Sequence, residues 1–482
     1  MKINFKNATG RAALVILLAV AILIGISFLP LERWTGGSVK NFNLFSDILN
    51  IEINETTDSV GDTESIDPEL LKALKEAENG NIPLADEIND SPGLSAPSAV
   101  DTSVIAYVDT DTVVQPVKPC KQGSTVVIED YTTGNIGLAR LKAAINSGRL
   151  ARIAFVGDSY IEGDIFTQNL RENLQNAYGG EGVGYVNMHS DFPGFRRSVK
   201  QGGSGWKSFT AIKKAKKEYM FISEEYCIPT GQALSTYHGV NTLAHLDKWS
   251  RSRFLFIAPN NTTVSVKTNG EWETHDVKGS TGVQSILVNG ITDEFSVKTA
   301  DTNLIGLGVW LDGTTGVSLD CMSSRGFSGI TLTNISAGLC RAMSADVNYD
   351  LIILEFGINA MSASQTNYSV YADRMVKVIN HMRTCYPNAD ILLMGIGDRG
   401  QKKGAEVHSM STVPNMINAQ RDVARRTHCL FWDTREAMGG QDAIVSWAQQ
   451  KLANKDYIHL THEGGKRLGD LLFNALQIQL KK

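Results

Sequence analysis

A serine hydroxyl becomes a nucleophile only when a base takes its proton and a third group holds that base. In this sequence of 482 residues, Ser159, His459 and Asp456 are the set whose neighbours fit those tasks. Ser159 stands in Gly157-Asp158-Ser159, after the apolar run ARIAFV at 151–156. Behind it Phe166, Leu170, Leu174 and Tyr178 recur at helical spacing, with Ile165 beside them. A strand that turns tightly into a helix leaves the hydroxyl exposed at the strand's carboxyl end, where α/β sheets bind ligands. The helix N-terminus beside it favours nearby negative charge. The tripeptide alone is also an ordinary turn or cap. Asp456-Tyr457-Ile458-His459, just ahead of the last amphipathic segment, lets one loop present His459 as base and Asp456 as the group that fixes its tautomer. His462, in HLTH, competes with His459 but reads better as a capping or surface histidine. An HxxH metal pair has no third ligand cluster to complete it.

Acyl transfer also needs donors where the carbonyl oxygen turns negative, each worth roughly 100- to 1,000-fold in rate. Asn359, in Gly357-Ile358-Asn359, follows the apolar run DLIILEF and can point its amide into the same crevice. Gly329, in RGFSGIT, can offer a backbone N–H, as can Ser159 itself. Asn359 equally suits a helix cap and Gly329 a turn.

Elements that alternate must hold these groups together. Helical patterns at 137–145, 371–382 and 467–480 alternate with strand-like runs at 151–156, 350–356, 390–394 and 429–432, which predicts βαβ units and a mostly parallel sheet. Between 202 and 315 the texture changes. TTVSVKTNGEW alternates polar and apolar residues up to an Asn-Gly turn, SILVNG offers a second, and DEFSVKT and LIGLGVWLDG add strand-like runs. The expectation is an inserted antiparallel β-sandwich, with decorative loops as the plainer alternative. Trp206, Trp249, Trp272 and Trp310 suit sugar stacking or a core. The glycine run at 179–184 follows a helix and does not spell GxGxxG, so it reads as a loop bordering the crevice; Asp398 lines that crevice or serves a turn.

GDSYIEG, the Gly of RGFSGIT, the Asn of FGIN and DYIH, in this order, resemble blocks one, two, three and five of the SGNH, or GDSL-type, hydrolases. The resemblance spans about 125–201 and 316–482, and it implies a flavodoxin-like three-layer α/β domain and an esterase mechanism. It assigns catalysis to Ser159, His459 and Asp456, and the oxyanion hole to Ser159, Gly329 and Asn359. One departure is Ala360, where the third block often carries an acid after its Asn. GDSYIEGDIFTQNLRENLQNAYGGEGVGYV, the β insertion and DYIHLTHEGGKRLGD are also similar to bacterial peptidoglycan O-acetylesterases, whose insertion resembles a carbohydrate-binding module.

The chain is 42% hydrophobic and 20% charged, as ordinary globular proteins are, and its length suggests more than one domain at roughly 100 to 200 residues each. A net charge of -5 leaves no broad basic surface, so nucleic acid is excluded as the expected partner. Six cysteines form no CxxC pair and leave about 15 pairings open. Residues 12–31 (AALVILLAVAILIGISFLPL) have the length to cross a bilayer, and Lys2, Lys6 and Arg11 precede them, so the remainder is expected outside the cytoplasm. The expected organisation is a cytoplasmic stub and transmembrane anchor at 1–33, an acidic flexible spacer at 34–120, a hydrolase domain at 121–201 and 316–482, and the β insertion at 202–315.

The expected function is therefore a membrane-anchored carbohydrate O-acetylesterase, periplasmic or extracellular, acting on acetylated polysaccharide or peptidoglycan with no cofactor and no metal. Secretion after signal cleavage is the alternative location. A glycan O-acetyltransferase fed by a membrane acetyltransferase partner, and a non-catalytic glycan-binding surface protein, are the alternative functions.

Overall fold

Strands whose every side chain is apolar have no face to offer water, so a run such as ARIAFV demands a layer on each side. A computed structural model describes residues 125–212 and 215–482; the expected anchor at 12–31, the spacer at 34–120 and Cys120 lie outside the described residues. Along the chain run β1 (Glu129–Asp130), α1 (Ala139–Asn146), β2 (Ala151–Gly157), α2 (Thr167–Tyr178), β3 (Gly184–Val186), β4 (Lys200–Thr210), β5 (Glu225–His238) and β6 (Trp249–Ala258). Next come β7 (Thr262–Thr268), β8 (Glu271–Val277), β9 (Ser280–Thr292), β10 (Glu294–Thr299), β11 (Ile305–Asp312), β12 (Val317–Ser323), α3 (Ala337–Met343), β13 (Leu351–Glu355) and α4 (Ser369–Cys385). The chain continues through β14 (Asp390–Met394), β15 (Gly400–Lys403), β16 (Glu406–Ser409), α5 (Val413–Arg426), β17 (Leu430–Trp432), α6 (Thr434–Met438), α7 (Ala443–Gln449) and α8 (His462–Leu480).

The first sheet has the order β1-β17-β14-β13-β2-β12, parallel throughout except for β1 against β17. Counted in chain order, its five parallel strands read 2-1-3-4-5, the flavodoxin-like order, whose direction of winding reverses between β2 and β13. The carboxyl ends of those two strands therefore frame the ligand crevice. Alternation divides the core: Ile153 and Phe155 of β2 pack with Leu141, Leu170, Leu174, Leu468 and Leu472 of α1, α2 and α8. Ala154 and Val156 pack with Met375, Ile379, Met416 and Leu339 on the other face. Three layers result.

Nine further strands hydrogen-bond as one antiparallel network, β8-β7-β10-β5-β11-β6-β9, with β3 on β11 and β4 on β5. Phe254 and Phe256 of β6, Val264 and Val266 of β7, Phe295 and Val297 of β10, and Val309 and Leu311 of β11 share one buried core. The intervening Leu255 and Ile257, with Ile305, Leu307 and Trp310, join the core of the α/β layers instead. A bulge between Gly306 and Gly308 shifts the phase of β11 between those two cores. This region starts before 202, because β4 begins at Lys200 and β3 also pairs into it.

Two other sequence readings change, and the alternatives left open for the tryptophans are resolved. The glycine run packs at the amino end of β12, far from the crevice: Val317 N donates to Gly179 O at 2.9 Å, and a Cβ on Gly182 would meet Leu311 O at 2.2 Å. Trp206, Trp249 and Trp310 are core, and only Trp272 of the four is exposed, at 38%. The last helix starts at His462, well before 467, capped by the Thr461 side chain. Its Gly464 and Gly465 discourage helix by propensity, but Cβ atoms there would meet Leu452 O at 1.8 Å and Ile165 O at 2.1 Å.

Candidate active site

β2 ends at Gly157, where a side chain would collide with Glu355 of β13: a Cβ would lie 2.8 Å from its carbonyl oxygen. The close approach of these strand ends brings the turns that follow them together. Asp158, fully buried, ties them: its Oδ1 accepts from Tyr160 N at 2.9 Å and its Oδ2 from Asn359 Nδ2 at 3.0 Å. Ser323, at the end of β12, donates its hydroxyl to the Asp158 carbonyl at 2.8 Å. The next residue, Ser159, is 9% exposed at the floor of a 380 Å³ cavity lined also by Glu162, Phe195, Arg325, His459 and His462.

Ser159 Oγ lies 3.0 Å from His459 Nε2, and His459 Nδ1 lies 2.8 Å from Asp456 Oδ2. The second contact assigns the ring: Nδ1–H donates to the carboxylate, which leaves Nε2 to accept the serine proton. The loop closed by the β-bridge Ala453–Leu460, just ahead of α8, holds this geometry. Asp456 Oδ1 accepts from Ile458 N at 2.9 Å and His459 N at 3.1 Å, with Tyr457 in the left-handed region at φ 56°. Burial opposes charge on Asp456, but the bond from the His459 ring and those two amides outweigh it and hold the carboxyl below its usual range.

Gly329 sits at φ 86°, opening the short turn Ile330–Asn334, and a Cβ there would meet the Phe356 ring at 2.8 Å. Gly329 follows β12 and Asn359 follows β13, so both lie on the carboxyl-end side of the sheet that carries Ser159.

Residues 291–467 match the GDSL-like lipase/acylhydrolase family model. Over that span the chain is similar to the GDSL-type hydrolases. The matched span contains Gly329, Asn359, Asp456 and His459 but not Ser159, which lies on the other side of the antiparallel strands. A solved structure described as a peptidoglycan O-acetylesterase in action is similar at 22% identity, over 73% of this chain and 99% of that one, with a TM-score of 0.62. A family two carbohydrate esterase from Cellvibrio japonicus is similar at 9% identity over 59% and 98% of the two chains, with a TM-score of 0.26. An acetyl xylan esterase gives 19% over 33% and 81%, with a TM-score of 0.25. No curated protein sequence is matched. The match to this family supports a serine ester hydrolase.

Within this GDSL-type site the structure adds groups that the sequence did not single out. Asn359 does not stand free: its Nδ2 donates to Asp158 Oδ2 and also to Phe327 O, each at 3.0 Å. Both amide contacts hold the side chain in place, one of them through the buried Asp158. Ala360, where the sequence pattern often carries an acid, is fully buried. Beside Asp158 lies Glu355, 2% exposed, whose Oε2 has no hydrogen-bond partner among the described residues. Burial, and next the Asp158 charge, push the Glu355 carboxyl well above its usual range.

His462 is held elsewhere, with Nδ1 3.2 Å from Gln168 Nε2, and burial followed by the Arg197 charge lowers its pKa. Asp398 is fully buried and does not line the crevice: it pairs with Arg435 at 3.2 Å and accepts from Ile444 N at 3.0 Å, at the start of α7. At the mouth, Arg325 Nε donates to Glu162 Oε1 at 3.1 Å. Among the described residues no cluster of three metal-ligating side chains occurs.

Proposed function

We propose that the protein is an extracytoplasmic carbohydrate O-acetylesterase working through an acetyl-enzyme. Ser159 Oγ attacks the acetyl carbonyl while His459 Nε2 takes its proton, and Asp456 stabilises the imidazolium that forms. The tetrahedral oxyanion is received by the N–H groups of Ser159 and Gly329 and by the Asn359 amide. Collapse expels the sugar oxygen, which collects the proton from His459. Water, deprotonated by the same imidazole, then attacks the acetyl ester and releases acetate.

The observation that carries this reading is the continuous pair of contacts from Ser159 Oγ to His459 Nε2, 3.0 Å, and from His459 Nδ1 to Asp456 Oδ2, 2.8 Å. The likeness to a peptidoglycan O-acetylesterase supports acetylated glycan as substrate. We read the antiparallel region as an inserted carbohydrate-binding-like sandwich, and residues 12–31 as a membrane anchor that places the enzyme outside the cytoplasm.

The test is acetate release by the full-length protein from acetylated peptidoglycan and acetylated xylan, with Ser159→Ala beside it. Release by the parent and none by the variant is expected. Equal release by both refutes the assignment of the nucleophile. Accumulation of acetylated acceptor from an acetyl donor plus bare oligosaccharide, with little free acetate, refutes hydrolysis in favour of transfer.

A further inference from the structure

The cavity over Ser159 does not end at the α/β domain. Through Glu162 and Phe195 it adjoins a second pocket of 150 Å³, whose polar lining includes Asn187, Gln201, Ser223 and Glu225. That is room for roughly ten waters, ample for a sugar ring. Through Arg196 and Gln201 the second pocket adjoins a third, a groove of 870 Å³ along β4 and the loop after β5, with Arg197, Lys200, Lys248, Asp247 and Asp293 on its walls.

The turn Pro193–Phe195 stands where these compartments meet, and two aromatic rings are left in water there: Phe192 is 75% and Phe195 43% exposed. The turn is anchored to the catalytic side. Arg196 Nη1 donates to Tyr185 O and its Nε to Ser198 Oγ, each at 3.0 Å, and Nη2 reaches Asp164 at 3.5 Å. Phe195 lies on the bare face of Gly163, where a Cβ would come within 2.5 Å of its ring. Exposed rings held firmly beside a cluster of hydroxyl, amide and carboxyl groups are what the apolar face and polar edge of a pyranose require. Glu225 accepts from Asn187 Nδ2 at 3.3 Å, and burial raises its pKa. The groove beyond carries both signs of charge, which suits a polar chain better than a lipid.

We infer that the three compartments form one cleft for an internal residue of a glycan chain. The acetylated ring lies over Ser159, its neighbour lies in the Asn187–Gln201–Glu225 pocket against Phe192 and Phe195, and the chain continues along the Arg197–Lys200–Lys248 groove. This rests on the esterase reading, which it deepens by placing successive units of the glycan chain in named compartments.

Binding tests the cleft apart from the chemistry. Full-length Ser159→Ala protein is titrated calorimetrically with unacetylated N-acetylglucosamine oligomers of increasing length. Affinity is expected to tighten at least about tenfold from monomer to the longest chain, the change that about 1.4 kcal/mol produces. Adding Phe192→Ala or Lys248→Ala removes most of that gain, and Trp272→Ala keeps it. Affinity independent of length, unchanged gain in the Phe192 and Lys248 variants, or loss through Trp272 instead overturns the inference. Acetate release by the parent from acetylated forms of the same chains judges the esterase reading separately.

Discussion

Replacing Gly329 by alanine isolates the link between backbone shape and the oxyanion hole. The residue sits at φ 86°, and a left-handed conformation costs an L-residue roughly 1–2 kcal/mol. The new methyl would also lie 2.8 Å from Cγ and Cδ2 of Phe356 and 3.1 Å from its Cβ. Phe356 is fully buried, so it cannot swing into solvent, and overpacking of this kind costs about 1–3 kcal/mol. The sum is a loss of about 2–5 kcal/mol in a urea melt. Gly148→Ala is the control, because its φ is 72° with nothing within 4 Å, leaving only the conformational cost. The overlap is relieved by moving the turn that carries the Gly329 N–H. Removing one oxyanion donor costs about 100- to 1,000-fold in kcat, with KM nearly unchanged because the bond strengthens only in the transition state. Steady-state hydrolysis of 4-nitrophenyl acetate reads this directly. Full kcat in Gly329→Ala, with a stability loss no greater than that of Gly148→Ala, refutes both the packing argument and the donor assignment.

Asp456→Asn should lower kcat by about 10⁴-fold while leaving the melting behaviour nearly intact, since the side chain is partly exposed. Because Asp456 is held below the usual carboxylate range, the parent's advantage should stay constant from about pH 5 upward in a pH–rate profile. Asp164→Asn strands the fully buried Arg171, 2.6 Å away, and should cost about 3–5 kcal/mol in denaturant melts. Burial alone would raise the Asp164 pKa, but Arg171 and Arg196 outweigh it and lower it, so this contribution is complete above the unfolded value of about 3.9. It disappears as pH falls through the folded value, and the gap between parent and variant should narrow in acid. Glu355→Gln keeps the shape of a buried side chain whose pKa is raised, so kcat at pH 7 should stay within about twofold. With its pKa raised, Glu355 withdraws stability as pH rises above about 4.3, and the Gln variant should lose less stability than the parent toward alkaline pH.

The strands that carry the chemistry were legible because each is a short apolar run followed at once by a small polar tripeptide. That pattern located Ser159 and Asn359 on separate strand ends, and strand order then placed those ends side by side. The loop bearing Asp456 and His459 was legible from spacing alone, since three residues suffice for a carboxylate to bond the ring and two backbone amides. What escaped notice depends on contacts between distant segments. Nothing local to Asp158 announces that it accepts from Asn359, 201 residues away. Glu355 reads as the last residue of a buried strand, and its raised pKa follows only once burial and the Asp158 charge beside it are known. The glycine run misled because glycines near an active-site sequence suggest a ligand, whereas these four positive-φ residues let the chain pass under β11 and β12.

The long interruption between Ser159 and the rest of the site is workable because the antiparallel region is fixed to the catalytic sheet at its root. Asp320 of β12 accepts from Trp310 Nε1 at 2.8 Å, Tyr349 Oη at 2.9 Å, Tyr185 N at 3.1 Å and Arg152 Nη1 at 3.2 Å. Arg152 of β2 also pairs with Asp312 at the end of β11. Strands from both regions thus share one buried, hydrogen-bonded charge cluster, and removing any member would leave the others uncompensated. The apolar residues of β6 and β11 that enter the catalytic core add a second attachment. A region held in this way cannot rock freely, so the segment running from β3 through the Phe192–Phe195 turn to β4 reaches the Ser159 cavity in a preset position. Preorganisation of this kind lowers the entropic cost of binding a long, flexible polymer, which is the substrate for which a wall beside the serine has most value.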